Sequence, residues 1–153
     1  MAQTRANPPL LLEAFLPYRL NVLAASVSES LERIYSRRFG LDIAGWRVMA
    51  TLGQFGGVTA KAIGAHSHMH KTKVSRAIAG LEKRGLIRRK ANPLDQREQV
   101  ISLTDQGEAI YREIIPLAQA FQQSLLQALP EAQRRNLDEI LMILTGEAER
   151  LSP

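Results

Sequence analysis

No cysteine occurs in the 153 residues. Disulfides, thiolate zinc sites, thiol nucleophiles and cysteine-based oxidant sensing are therefore excluded. Long hydrophobic runs are missing too: nowhere do roughly 18 apolar residues follow one another, so no membrane span is expected. The opening stretch MAQTRANPPLLLEAF carries one arginine and a short apolar run broken by prolines. It lacks the h-region and small-residue cleavage site of a secretory signal, and the expectation is a soluble cytoplasmic protein. There is no nucleophile elbow, no phosphate-cradling glycine loop, no HExxH and no placed carboxylate pair. Neither an enzyme nor a cofactor is expected, and no repeat, linker or low-complexity tract divides the chain.

What is present is a hydrophobic fraction of 45%, enough for one core, so residues 1–153 are expected to form a single domain. The charge is unevenly placed. Thr59 to Arg97 holds ten basic residues against two acidic ones, a local net of +8 in a chain whose total is +5, leaving the remainder at −3. Positive charge concentrated this way fits an anionic polymer as partner.

Hydrophobic periodicity organises the rest. Pro17 can open a helix striped by Leu20, Leu23, Val27, Leu31 and Ile34 that ends near Phe39 and Gly40. A shorter helix carries Trp46, Val48, Met49 and Leu52 and closes at GQFGG, and Thr59 is placed to cap a third. In KTKVSRAIAGLEKRG the residues Val74, Ala77, Ile78 and Leu81 share one narrow arc. His70 is the expected cap, Met69 a staple against Val74, and Gly85 the stop. LIRRK and QVISL flank the loop-like ANPLDQRE and read as a β-hairpin. Thr104 caps a helix striped by Ile110, Ile114, Leu117, Phe121, Leu125 and Leu129, which Pro116 should kink, and a last helix carries Leu137, Leu141, Leu144, Ala148 and Leu151. The fold class is thus mainly α with a small β-hairpin wing. The stripes of the terminal helices exceed what the basic lobe can cover, which points to a second copy across a twofold axis.

Short helix, turn, second helix and basic hairpin, in that order, make a winged helix-turn-helix. With Val74 inward, Thr72, Arg76, Ala79 and Lys83 point away from the core, flanked by Lys73 and Ser75. Arg76 can reach a guanine edge, Thr72 and Ser75 a base or phosphate, and Lys71 and Lys73 the phosphates at the helix start. On the wing, Arg89 and Arg97 are candidate contacts, Arg97 for a narrow minor groove, with Asp95 orienting Arg97 through a hydrogen bond or salt bridge. A winged-helix module that binds proteins without operator recognition is the alternative.

The chain resembles the MarR family of bacterial transcription regulators. The likeness runs along nearly the whole chain through Thr59, KTKVSRAIAGLEKRGLIRR, NPLDQRE and VISLTDQG. It implies a homodimer joined by helices from residues 10–40 and 105–152, with a DNA-binding lobe at 42–104. It further implies a pseudo-palindromic double-stranded operator, and usually repression relieved by a small ligand. It carries Thr72, Lys73, Ser75 and Arg76 over as recognition-helix contacts, and Arg97 with its partner Asp95 as the wing tip. A ligand pocket is likewise the family's implication. Tyr18, Arg19, Trp46 and Arg47 are the aromatic or polar-tipped residues nearest the junction of lobe and terminal helices, and the pairing of arginine with aromatics suits an aromatic carboxylate.

His66, His68 and His70 alternate, yet across a helix end and a turn they do not converge on one metal, and no other histidine exists. The expectation is no metal, with the three imidazoles near a phosphate backbone.

Overall fold

The computed structural model describes residues 8–152; the ends of the expected 1–153 domain, residues 1–7 and 153, lie outside them. A 3-10 turn at Leu12–Ala14 precedes helix α1, Leu16–Phe39. Then come α2 (Ile43–Phe55), strand β1 (Val58–Thr59), α3 (Ala60–Ser67), α4 (Lys71–Lys83), β2 (Ile87–Ala91), β3 (Gln99–Leu103), α5 (Asp105–Gln127) and α6 (Glu131–Arg150). The chain divides into two compact units, Met1–Arg112 and Glu113–Pro153. The expected DNA-binding lobe lies wholly within the first.

Local chemistry sets the element ends. Pro17 sits in the first turn of α1, and Gly40 ends it in the left-handed conformation, φ 63°, donating its N–H to Ser36 O at 2.8 Å. Asp42 caps α2 by accepting from Gly45 N at 2.7 Å, and Thr59 caps α3 by accepting from Ala62 N at 3.2 Å. Gly85, φ 70°, stops α4 while Leu86 N reaches back to Leu81 O at 3.0 Å. The expected hairpin is a three-stranded antiparallel sheet, order β1-β3-β2, in which Val58 pairs with Ile101 and Ile87 with Leu103. The extra strand is two residues long and coincides with the α3 cap, so periodicity could not announce it.

The core of the first unit is built from Val48, Met49 and Leu52 of α2, Ile63 of α3, Val74, Ile78 and Leu81 of α4, and Leu86, Ile87 and Ile101 of the wing, all buried. At about 1.5 to 3 kcal/mol per buried aliphatic side chain, this face outweighs every polar contact the lobe makes. Beside it, Trp46 lies between Tyr35 of α1, ring centroids 5.5 Å apart, and Tyr111 of α5, 6.2 Å apart. Burial pushes the Tyr35 phenol well above its ordinary range; the carboxylates of Glu32 and Asp42 add to this and Arg47 partly offsets it.

The first turns of α1 tell the opposite story, with Leu16, Tyr18, Leu20, Val22 and Leu23 all exposed. In the second unit Ile140, Leu141, Met142 and Ile143 are exposed on α6. Helical geometry continues through Pro116 in α5. No helix among the described residues is long and apolar enough to cross a membrane.

Two glycines allow close approach rather than a turn. A Cβ on Gly53 would fall 2.2 Å from the Tyr111 ring, and one on Gly107 would fall 2.0 Å from the Leu86 carbonyl oxygen, which is main chain and cannot swing aside. Gly107→Ala is therefore expected to cost about 3 kcal/mol or more despite alanine's better helix propensity. The urea midpoint of unfolding checks this, and an unchanged or higher midpoint would contradict the packing.

Candidate nucleic-acid interface

The interface is built on α4. Its start is fixed by a turn in which His68 takes the left-handed conformation, φ 50°, as the C-cap of α3, and Met69 is buried between the two helices. His70 then caps α4, its Nδ1 accepting from Thr72 N at 3.4 Å, a long bond for a cap. Because the Val74, Ile78 and Leu81 arc is buried, Lys71, Thr72, Lys73, Ser75, Arg76 and Lys83 are all exposed, as a helix with one inward face requires. Among the described residues, no hydrogen bond or ion pair engages the side-chain nitrogens of Lys71, Lys73, Arg76 or Lys83.

The wing is ordered by its own main chain. Its seven-residue loop, 92–98, is bridged by Asn92 N to Glu98 O at 3.0 Å and braced by two side-chain turns. In these, Leu94 N donates to Asn92 Oδ1 at 3.0 Å and Arg97 N to Asp95 Oδ1 at 2.9 Å. Asp95 thus does orient Arg97, but through the Arg97 amide and not its guanidinium. The guanidinium has no partner among the described residues, and Leu94 of the same loop is 94% exposed.

Not every cation of the basic segment is so disposed. Arg89 pairs with Glu82 Oε2 at 3.0 Å and reaches Gln99 Oε1 at 3.4 Å, while Arg88 donates to Ser102 Oγ at 3.3 Å. Arg84 donates to Phe39 O at 2.5 Å and Gly40 O at 2.9 Å. Sequence position alone does not separate these from Lys73 or Arg76. The one available signal for Arg89 was Glu82 seven residues before it.

The four candidate ligand residues fall into two pairs. Trp46 and Arg47 border a cavity of about 340 Å³ with Gln54, Phe55, His66 and Ser67, and Arg47 also donates to Ser28 Oγ at 3.3 Å. Tyr18 and Arg19 lie near the start of α1, roughly 25 Å along the helix axis from Tyr35, the residue that touches Trp46. Within one chain they are not neighbours. The histidines diverge: His66 stacks on Phe55 at 4.2 Å, while His68 and His70 end and begin helices. No three histidine, aspartate or glutamate side chains gather into a metal site among the described residues. His66 meets Phe55 because α3 turns back onto α2, and its ring stays exposed.

The fold of this chain is found in solved regulators. The chain is 27% identical to Sco3205, a MarR family transcriptional regulator from Streptomyces coelicolor solved in complex with DNA, with a TM-score of 0.77 and coverage of 98% of this chain and 94% of that one. A MarR family regulator from Silicibacter pomeroyi is 26% identical, with a TM-score of 0.75 over 95% and 97% of the two chains. The HTH-type transcriptional regulator YwoH of Bacillus subtilis (strain 168) is 31% identical over 105 residues, 69% of this chain and 72% of that relative. The family model described as MarR family matches residues 41–99. The protein is a DNA-binding transcription regulator of the winged helix-turn-helix class, and not an enzyme. It belongs to the MarR family.

The long His70 bond generates a test of the helix start. His70→Asp supplies a better-placed oxygen acceptor at the N-cap and is expected to raise stability by about 0.5 to 1 kcal/mol. A lowered denaturant midpoint would place the first turn of α4 elsewhere.

Proposed function

We propose that the chain works in the cytoplasm as a homodimeric repressor. Each copy would lay α4 in a major groove and its wing in the neighbouring minor groove of a pseudo-palindromic operator, and a small aromatic or anionic compound would release it. The observation that carries this reading is the set of exposed cationic side chains without partners among the described residues: Lys71, Lys73, Arg76 and Lys83 on α4 and Arg97 on the wing. Arg76 is the candidate for bidentate base contact, Thr72 and Ser75 for shorter polar contacts, the lysines for phosphates, and Arg97 for the minor groove. Arg89, already paired with Glu82, serves this surface better as a brace than as a contact.

Dimerisation is supported by the exposed Leu16, Leu20 and Leu23 of α1, which share one face at helical spacing and have no reason to remain in water. Two copies would hold their recognition helices about 34 Å apart, one turn of duplex. For the effector, the Trp46 and Arg47 cavity offers an aromatic face, a guanidinium and an imidazole, a set suited to a ring bearing a carboxylate. Such a ligand releases DNA only by favouring a spacing of the two heads that no longer fits the operator.

Titrating a labelled duplex from the gene's own upstream region at several salt concentrations tests the reading. A steep negative slope of log affinity against log salt is expected, with strong preference over scrambled sequence. Arg76→Ala and Arg97→Ala should each cost about 1 to 3 kcal/mol per half-site. Benzoate should weaken the complex and shift the fluorescence of Trp46, the single tryptophan. Equal affinity for scrambled duplex would favour the protein-binding alternative.

A further inference from the structure

Arg84 belongs by sequence to the cationic run that the DNA-binding reading draws on, but its contacts point inward along the fold. It is the C-cap residue of α4, and both terminal nitrogens of its guanidinium donate to the carbonyls of Phe39 and Gly40, which close α1. Those carbonyls have no intrahelical donor, and they sit at the negative end of a 24-residue helix, so a planar cation spanning both satisfies two orphan acceptors and the helix dipole together. Gly40 supplies the turn that presents them: it adopts φ 63°, and a Cβ built there would meet the Arg84 guanidinium at an ordinary contact distance, 3.6 Å, so backbone conformation and not space is what favours glycine. On the other side of the same turn, Glu82 is held by Arg89 of β2, which also reaches Gln99 of β3. The last turn of the recognition helix is therefore tied to α1 by one arginine and to the wing by another.

We infer that Arg84 is a positioning residue for operator recognition: it locks the recognition helix to the end of α1 and contributes no phosphate contact of its own. The inference rests on the dimeric reading above, in which α1 belongs to the frame joining two copies. Given that frame, Tyr35 and Ser28 of α1 hold α2, and Arg84 is the side chain that ties the end of α4 itself to α1 and so bears on the spacing of the two α4 helices. Lys73 and Arg76 border the same cavity of about 410 Å³ as Arg84, Gly40 and Asp42, so a shift at the α1 end is felt directly beneath the reading face. Loss of the link leaves the reading residues intact but lets each head turn against the frame.

The two roles for Arg84 separate in one experiment. Full-length wild type and Arg84→Ala are titrated with a duplex that the wild type selects from a random-sequence pool, and with versions carrying one base pair inserted or removed between the half-sites. Each change moves one half-site by roughly 3.4 Å and turns it by about a tenth of a helical turn. The wild type should lose about tenfold or more in affinity for either change, and Arg84→Ala less than about threefold. On the original duplex, Arg84→Ala should bind about tenfold more weakly with an unchanged slope of log affinity against log salt. A variant that was merely less well folded would weaken all three duplexes in proportion and keep the wild-type spacing profile, which would overturn the inference. So would a slope reduced by about 0.9 per chain, the signature of a lost phosphate contact. Arg84→Lys, the fallback should the alanine variant not fold, is expected to lie between the two in its spacing profile; a profile identical to wild type would count against the two-carbonyl clamp. Wild-type protein indifferent to spacing would overturn the dimeric reading itself.

Discussion

The burial of three side chains on α4, Val74, Ile78 and Leu81, governs the cationic surface of the candidate interface. A helix has a single phase, so fixing one arc in the core fixes the direction of every other residue on it. Once Val74 and Ile78 are inside, Thr72, Lys73 and Arg76 have no choice but to face solvent. The buried Met69, the His70 cap and the Gly85 stop determine where that helix begins and ends. Together they convert a hydrophobic pattern into an oriented, cationic surface.

Charge on this surface is divided between two physical tasks. Arg84 and Arg89 spend their donors on carbonyls and a carboxylate within the fold, stiffening the helix against α1 and against the sheet. Among the described residues, Lys73, Arg76 and Arg97 find no partner for theirs. The arrangement suits a protein that must hold a rigid geometry while neutralising a polyanion, since a contact made by a wandering side chain positions nothing. Asp95 illustrates the same economy. By accepting from the Arg97 amide it fixes the loop without neutralising the arginine it presents.

Much of this was legible in the residues. The stripe of α4, the caps at Thr59 and Thr104, the stop at Gly85 and the hairpin strands all follow from periodicity and turn chemistry, and the architecture agrees with them. Three features were not. Strand β1 is too short to carry a period, and it exists because Val58 finds Ile101 across the sheet. The stacking of His66 on Phe55 depends on how α3 turns back to α2, a tertiary fact. The different duties of Arg84 and Arg76 depend on partners, some of them more than forty residues away, and a composition count treats all cations alike. Tyr18 and Arg19 show the converse: they share chemistry with Trp46 and Arg47 but not a neighbourhood within one chain.

Among the described residues, large apolar side chains stand exposed on the first turns of α1 and, in the second unit, at Ile140 to Ile143 of α6, while one chain carries a single copy of the cationic helix. A lone head of this size grips few base pairs, whereas two heads on a stiff frame convert the pitch of the duplex into specificity. Hydroxyl-radical footprinting on a duplex the protein selects from a random pool measures this directly. Paired heads give two protected segments on one face, centred about 10 base pairs apart, appearing together as protein is added. One protected segment, or protection spread evenly along the duplex, would show that the chain reads DNA singly or not by sequence at all.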